Sequence, residues 1–359
     1  MKLNAEMILK KAVDWGSTDI FIVAGNSITM RISGNIVTYQ GEPGEEDETP
    51  LMPADTEAII REIYEMAGGR DIERLLKTGD DDFSFAINGF SRFRMNAYRQ
   101  RGTLAAVIRV ISFDIPNAVD MHIPDSVIKL SEVQKGLVLV TGPAGSGKST
   151  TLACIIDAIN SSREANIITL EDPIEYLHKH KKSIISQREI HNDTENYLVG
   201  LRSTLRQSPD VILLGEMRDY EAISVAMTAA ETGHALFSTL HTMGAANTIN
   251  RIIDVFPADQ QRQVSVMLSM VLTAIVSQQL VPTTDGGLMP AFEIMVNNPA
   301  ISNLIRNGKA YQIDSVIAAE KDSMMTMDNC LIEYYKKGII SMDTLKHYAV
   351  NVEMVLKKL

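Results

Sequence analysis

The chain has 359 residues, 45% hydrophobic and 22% charged, the balance of a water-soluble protein with room for two ordinary domains. Its 34 Lys and Arg against 45 Asp and Glu leave a formal charge of −11, a poor match to the cationic surfaces that grip nucleic acid; only a local basic channel escapes this argument. No apolar run approaches the ~20 residues that cross a bilayer, and the opening "MKLNAEMILKKAVDWG" lacks the apolar core of a secretory signal. A cytoplasmic protein, with any membrane contact peripheral, is the expectation. Cys154 and Cys330 lie far apart with no CxxC partner, so they read as buried free thiols and not as parts of a four-thiolate zinc site.

In chain order, "AEMILKKAVDWG" has helical spacing, with Met7, Ile8, Ala12 and Val13 able to share a face. Short alternating runs follow: "DIFIVAG", "SITMRISGNIVTYQ", "DDFSFAING" and "SRFRMNAYRQRGTLAAVIRVIS". They are rich in β-branched and aromatic residues and broken by Gly, Asn and Asp, which predicts antiparallel strands. Two helices, "DTEAIIREIYEMAG" and "RDIERLLKTG", sit between them, and "GEPGEEDETP" (41–50) reads as a solvated loop. This is an α+β domain over 1–112, and "FDIPNAVDMHIPDS" with its two prolines supplies a linker over 113–125. From 126 to 359 apolar runs alternate with helices: "GLVLVT", "KSTTLACIIDAINSS", "NIITLED", "NYLVGLRSTLRQS", "DVILLG", "DYEAISVAMTAAETG", "HALFSTLH" and "AANTINRIIDVF". That order predicts an α/β domain with a parallel sheet covered on both faces. The last ~100 residues read as helices, the longest being "QQRQVSVMLSMVLTAIVSQQL".

The chemistry is concentrated at Gly142-Pro143-Ala144-Gly145-Ser146-Gly147-Lys148-Ser149, which fits G-x-x-x-x-G-K-[ST]. The glycines let several backbone N–H groups converge on a phosphate at the positive end of the following helix. Lys148 reaches toward β- and γ-phosphates, and the Ser149 hydroxyl suits Mg²⁺. The loop follows an apolar strand and opens a helix, as a nucleoside triphosphate site requires.

Three further features gather round it. In "DVILLGEMRD", Glu216 falls just past a buried strand, where it can hold the water shell of Mg²⁺ or polarise an attacking water. In "LEDPIEY", Glu171, Asp172 and Glu175 cluster where the chain leaves the sheet, the edge at which open α/β sheets bind ligands. Their mutual repulsion asks for a cation or bound water, and a solvated turn is the equal alternative. His234 and His241 bracket "ALFSTL"; seven residues apart on one strand they make poor joint metal ligands, and a γ-phosphate sensor suits one of them better. The run "HKHKK" (178–182) reads as a solvated face.

Together these segments resemble the PilT family, the retraction ATPases of type IV pili within the secretion-ATPase superfamily. The family's Walker A loop is matched by "GPAGSGKST", through Thr150, and its Asp box by "TLEDPIEY". Its Walker B is matched by "DVILLGEMRD" and its His box by "AAETGHALFSTLHT"; "DDDFSFAINGFSRFRMNAYRQRG" is similar to its N-terminal PAS-like domain, and "KKGIISMDTL" to its C-terminal ending. The resemblance implies a RecA-like P-loop domain that uses ATP and Mg²⁺. It makes Glu175 the water-activating acid and Glu216 the Walker B glutamate. His234 and His241 become the box that links nucleotide to sheet and subunit contact. It implies arginines of the N-terminal domain reaching the triphosphate, in the region of Arg94, Arg99, Arg101 and Arg109, with Arg109 preferred. It also implies a homohexamer at the inner face of the cell membrane, working with an inner-membrane pilus platform protein and other pilus ATPases; the charge argument above leaves no nucleic acid among the expected partners.

Two departures stand out. The family's "SDLH" appears as "TDIF", with Phe21 in place of His, and its "AIRNL" appears as Ala300-Ile301-Ser302-Asn303-Leu304, with Ser302 in place of Arg. The second bears on retraction more than on hydrolysis. The tetracysteine zinc loop of the extension and type II secretion relatives has no counterpart, which favours the retraction branch. An assembly, accessory or secretion ATPase of the same superfamily is the alternative. A nucleic-acid-dependent RecA-like motor meets the charge argument above, and a non-catalytic scaffold would need a damaged site.

Overall fold

The computed structural model describes residues 4–32, 34–39, 50–87, 90–111, 115–217, 219–320 and 323–359. The acidic loop over 41–50 lies outside them except for Pro50, as do residues 113 and 114 of the linker and Arg218 of the Walker B run. The chain divides into two compact units, Met1–Asp114 with Glu175–Leu177, and Ile115–Ile174 with His178–Leu359.

The first unit holds α1 (Ala5–Asp14), β1 (Ser17–Ile22), β2 (Thr29–Ile32), β3 (Asn35–Thr38), α2 (Pro53–Met66), α3 (Glu73–Thr78), β4 (Asp80–Ile87), β5 (Ser91–Gln100) and β6 (Thr103–Ile111). The strands form one antiparallel sheet in the order β3-β2-β1-β6-β5-β4. The period of two in "SRFRMNA" sets its faces: Phe93, Met95 and Ala97 are buried, in one core with Ile59, Ile60 and Ile63 of α2, while Arg92, Arg94 and Asn96 alternate with them. Asn4 starts α1 by accepting from the Glu6 and Met7 amides at 2.8 and 3.3 Å. One charge is drawn into this core. The Asp81 carboxylate is buried and receives a bidentate fork from Arg70, both bonds 2.9 Å, and the Tyr64 hydroxyl at 2.9 Å. Burial pushes the Asp81 carboxyl up, but the Arg70 and Tyr64 bonds outweigh it and hold it below the usual carboxylate range.

The second unit runs α4 (Asp125–Ile128), β7 (Gly136–Thr141), α5 (Lys148–Ser162), β8 (Asn166–Glu171), β9 (Ile184–Glu189), α6 (Tyr197–Thr204), β10 (Val211–Leu214), α7 (Tyr220–Glu231) and β11 (Ala235–Leu240). It continues with α8 (Ala245–Asp254), α9 (Gln261–Val271), β12 (Leu272–Pro282), β13 (Leu288–Val296), α10 (Pro299–Arg306), α11 (Ile313–Ala319), α12 (Met327–Lys336), α13 (Met342–Tyr348) and α14 (Val352–Lys358). The sheet order is β13-β12-β7-β11-β10-β8-β9, parallel throughout except for the β12–β13 pair. In β7, Leu137 and Leu139 pack into the core with residues of α7, α8 and α9, and Val138 and Val140 into the core with Leu152, Ile155 and Ile159 of α5. A strand covered on both faces is apolar at every position, which is why "LVLV" shows no alternation. Among the described residues no helix is long and apolar enough to cross a membrane. Cys154 and Cys330 are both buried and free, and burial pushes the Cys154 thiol up to about 11.

The structure corrects the C-terminal reading. The segment expected as one long helix is α9 only to Val271; from Leu272 it is β12, paired with β7 and β13. The last third therefore contains two strands as well as helices. "SIISQREI", which carries no strong pattern, is an edge strand, β9.

Candidate functional site

The parallel register fixes which residues meet at the C-terminal edge of the sheet. Leu240 of β11 stands opposite Thr141 of β7, and Ser238 opposite Leu214 of β10, which in turn faces Leu170 of β8. The turns that leave these strands therefore lie side by side: the phosphate loop after β7, His241 after β11, Glu216 after β10, and Asp172 after β8. Neighbouring strands are ~4.8 Å apart, so one small ligand can touch several of these turns.

The phosphate loop curls because Gly142, Gly145 and Gly147 adopt φ values of 144°, 75° and 87°. The Gly142 amide donates to Leu240 O at 3.2 Å, anchoring the loop to β11. A Cβ on Gly142 would stand 2.0 Å from the backbone O of Gln278, which excludes a side chain there; one on Gly147 would stand 2.8 Å from the movable Gln278 Nε2, and at Gly147 it is the φ of 87° that disfavours a side chain. Lys148 is buried at the start of α5, and its Nζ donates to Gly142 O and Pro143 O at 2.8 Å each. Pro143, Ala144, Gly145 and Ser149 are exposed, Thr150 is half-buried, and Ser146 is buried with its hydroxyl lacking a hydrogen-bond partner among the described residues. Exposed backbone at a helix N-terminus, a fixed ammonium and an orphaned hydroxyl fit the phosphates of a nucleotide. Ser149 and Glu216 supply the hard oxygen donors that Mg²⁺ takes.

Glu216 is largely buried, its side chain 15% exposed, and its Oε2 lies 3.2 Å from His241 Nε2. They line a cavity of about 310 Å³ with Met217, Thr239, Thr242 and Arg251. The edge is held by backbone and hydroxyl bonds: Met217 N to Thr239 O at 3.2 Å, Thr239 Oγ1 to Gly215 O at 2.6 Å, and Ser238 Oγ to Leu214 O at 2.7 Å. Behind His241 the chain turns into α8, and two residues of the β12–β13 pair secure the turn. Ser277 Oγ accepts from the Gly244 amide at 2.9 Å, and Glu293 Oε1 from the Ala245 amide at 2.7 Å. Ser277 and Glu293 are register partners. Burial pushes the Glu293 carboxyl up, Asp314 and Asp328 push the same way, and the amides of Ala245 and Met327 oppose them. Reading the sequence missed Ser277, Gln278 and Glu293; they lie in the segment expected to be helical or just beyond it.

Other expected site residues fall elsewhere. His234 is a correction. It precedes β11 at the edge of the sheet opposite the phosphate loop, seven residues from His241 at ~3.3 Å each. Its backbone O accepts from Gly136 at 3.0 Å and its Nδ1 lies 2.9 Å from Ala229 O, so it closes a helix-to-strand turn and does not line the nucleotide edge. Glu171 Oε1 accepts from Thr169 at 2.6 Å and Gln187 at 3.1 Å, within the sheet edge. Glu175 is exposed and belongs to the three-residue segment that groups with the first unit. The four arginines also belong to that unit. Arg109 on β6 stands opposite Asp19 on one side and Arg94 on the other. Its Nε donates to Asp19 Oδ1 at 3.2 Å, its side chain staying 69% exposed, while Arg94 forks onto Asp82 at 2.7 and 3.0 Å. Arg99 donates to Leu76 O at 3.3 Å, and Arg101 sits in the β5–β6 turn with φ 47°.

Comparison with known proteins places this geometry. Residues 92–326 match the family model described as type II/IV secretion system protein. The chain is 42% identical over 335 residues to the type IV pilus retraction ATPase PilT of Pseudomonas aeruginosa, covering 93% of this chain and 94% of that protein. It is 48% identical over 274 residues to a twitching motility protein of Neisseria gonorrhoeae, covering 76% and 73%. A crystal structure of the pilus retraction motor PilT with bound ADP superposes with a TM-score of 0.89 at 42% identity, covering 99% of this chain and 100% of that one.

Proposed function

The chain belongs to the type II/IV secretion system protein family, in its PilT branch, and from that premise we propose that it is a motor coupling ATP hydrolysis to retraction of a type IV pilus. The observation that carries the reading is the meeting of the phosphate loop, His241 and Glu216 on three adjacent strands. In this reading the triphosphate lies along Gly142–Thr150 at the N-terminus of α5, and Lys148 exchanges its two carbonyl partners for phosphate oxygens. Ser149 and Glu216 would hold Mg²⁺, Glu216 partly through water, and the ion would offset charge on the β- and γ-phosphates. His241, bonded to Glu216, stands between that carboxylate and the phosphate loop and reports the γ-phosphate to α8. Glu175 activates the water, and Arg109 supplies positive charge to the triphosphate. The working form is a homohexamer, peripheral at the inner face of the cell membrane, acting on a platform protein and alongside other pilus ATPases.

The test is pilus number per cell and surface motility in the source organism after deletion and restoration. Excess pili with lost motility, reversed by the wild-type gene and not by Lys148→Ala, is the expected result. Loss of pili would make the chain an extension motor, and no change in either would overturn the pilus reading. A second reading, an accessory ATPase that works beside another motor, is favoured by Ser302. Its hydroxyl lies 3.0 Å from Ser269 O and 3.1 Å from Asn297 Oδ1, so a position that carries a cation in relatives is tied to α9 within the unit. Restored motility that still requires a second pilus ATPase would select it.

A further inference from the structure

Gln278 lies on β12, 3% exposed, and it touches the phosphate loop at both ends and the helix behind it. Its backbone O occupies the space a Gly142 side chain would take, and its Nε2 the space of a Gly147 side chain. Its Oε1 accepts from the Thr151 hydroxyl at 2.7 Å, and Thr151 is itself 1% exposed. Thr151 is three residues beyond Lys148 on α5, hence on the same helical face. We propose that Gln278 is a positioning residue for the nucleotide site: it sets the curl of the phosphate loop and the rotation of α5 that aims Lys148. This inference rests on the nucleotide-binding reading of the loop.

The chemistry of the side chain fits the task. A buried acceptor is needed for the Thr151 hydroxyl, which would otherwise lose its partner in the core. The same side chain lies against Gly147, at the turn that opens α5, where in the nucleotide-binding reading a carboxylate would repel the phosphates and an ammonium could not accept from Thr151. A primary amide is neutral, carries an acceptor at one corner, and is flat enough to pass under Gly147. The backbone at each end of the contact is fixed: Gln278 is held in a strand paired on both sides, and Thr151 is inside a helix. The phosphate loop is thereby referenced to a strand and not left to its own turn geometry.

The experiment measures ATP affinity, turnover and thermal melting of the full chain with Thr151→Val, Thr151→Ser, Gln278→Leu and Gln278→Glu. Thr151→Val removes only the hydroxyl at near-constant volume, and Thr151→Ser restores it. The expected result is a loss of ATP affinity of about tenfold in Thr151→Val and Gln278→Leu, non-additive when combined, with Thr151→Ser within about threefold of wild type. Gln278→Glu adds a readout that a packing role would not move. Relative to wild type at each pH, its ATP affinity falls as pH rises through the carboxyl range, because a carboxylate then forms beneath the phosphates. Thr151→Val and Gln278→Leu proteins that bind ATP like wild type would overturn the proposal, and should Gln278→Leu fail to fold, Thr151→Val alone decides. Wild-type protein that binds no ATP would overturn the nucleotide reading itself, a separate result.

Discussion

Alanine at Gly142 and alanine at Gly145 change the same loop by the same atom, yet the structure assigns them different costs. At Gly142 φ is 144°, and the new Cβ would lie 2.0 Å from Gln278 O and 2.8 Å from Ser146 Oγ. A backbone state of this kind costs a residue with a side chain about 1–3 kcal/mol. Relieving the contact requires moving the loop or β12, which adds about 1–3 kcal/mol of overpacking. At Gly145 φ is 75° with nothing within 4 Å of the Cβ, so only the left-handed conformation is charged, about 1–2 kcal/mol. If these costs fall on the loop conformation that binds phosphate, their central values differ by about 2.5 kcal/mol, or roughly sixtyfold in affinity.

The assay is ATP titration of both variants by fluorescence anisotropy or calorimetry, with thermal melting to confirm the fold. Gly145→Ala should bind ATP about five- to thirtyfold more weakly than wild type, and Gly142→Ala at least about thirtyfold more weakly. A Gly142→Ala protein with unchanged melting that binds ATP as well as Gly145→Ala would refute the reasoning. It would mean that β12 does not confine the loop.

With Glu175 in its proposed role as base, Glu175→Gln should still bind ATP but turn it over about a hundredfold or more slowly; full turnover in Glu175→Gln with loss in Glu216→Gln would exchange their proposed roles. Glu293→Gln should make stability less sensitive to rising pH. The folded pKa of Glu293 is raised, so its contribution is complete below the ordinary glutamate value of 4.5 and is lost as pH rises through the higher folded value. Melting temperature against pH for the two proteins checks it, and parallel curves would remove Glu293 from the argument. Asp81→Asn should cost the first unit about 3–5 kcal/mol by stranding Arg70 and Tyr64. Because the Asp81 carboxyl is held below the ordinary 3.8, its contribution is present above that value and is lost as pH falls through the folded one. Urea titrations at neutral and acidic pH should therefore show the gap to wild type closing on acidification.

What the residues disclose by themselves follows from how local the physics is. The phosphate loop, its strand and its helix are contiguous, and glycine spacing, apolar run and helix start all point to one turn. The first unit's strands alternate because one face is buried, so "SRFRMNA" announces its own orientation. β12 announces nothing. Val276, Gln278 and Leu280 on one side and Ile275, Ser277 and Gln279 on the other are nearly all buried, so a strand covered on both faces loses its period and merges with the helix before it. Only pairing with β7 and β13 makes it a strand.

The same distinction separates the two histidines and explains the residues that were missed. The six residues of β11 lie between His234 and His241 and, at ~3.3 Å each, hold them at opposite ends of the strand, so a shared motif name cannot give them a shared site. His241 enters the site because β11 ends there, next to the turn that carries Glu216. Gln278 and Glu293 enter it from β12 and β13, at sequence separations of 127 from Thr151 to Gln278 and 48 from Ala245 to Glu293. No local pattern marks such pairs. They arise because adjacent residues of a strand face opposite sides: Ser277 turns to the loop behind His241 while Gln278 turns to the loop before Lys148. A shift of β12 by one residue would exchange those faces and release both loops together, so the two halves of the nucleotide site are set by one register.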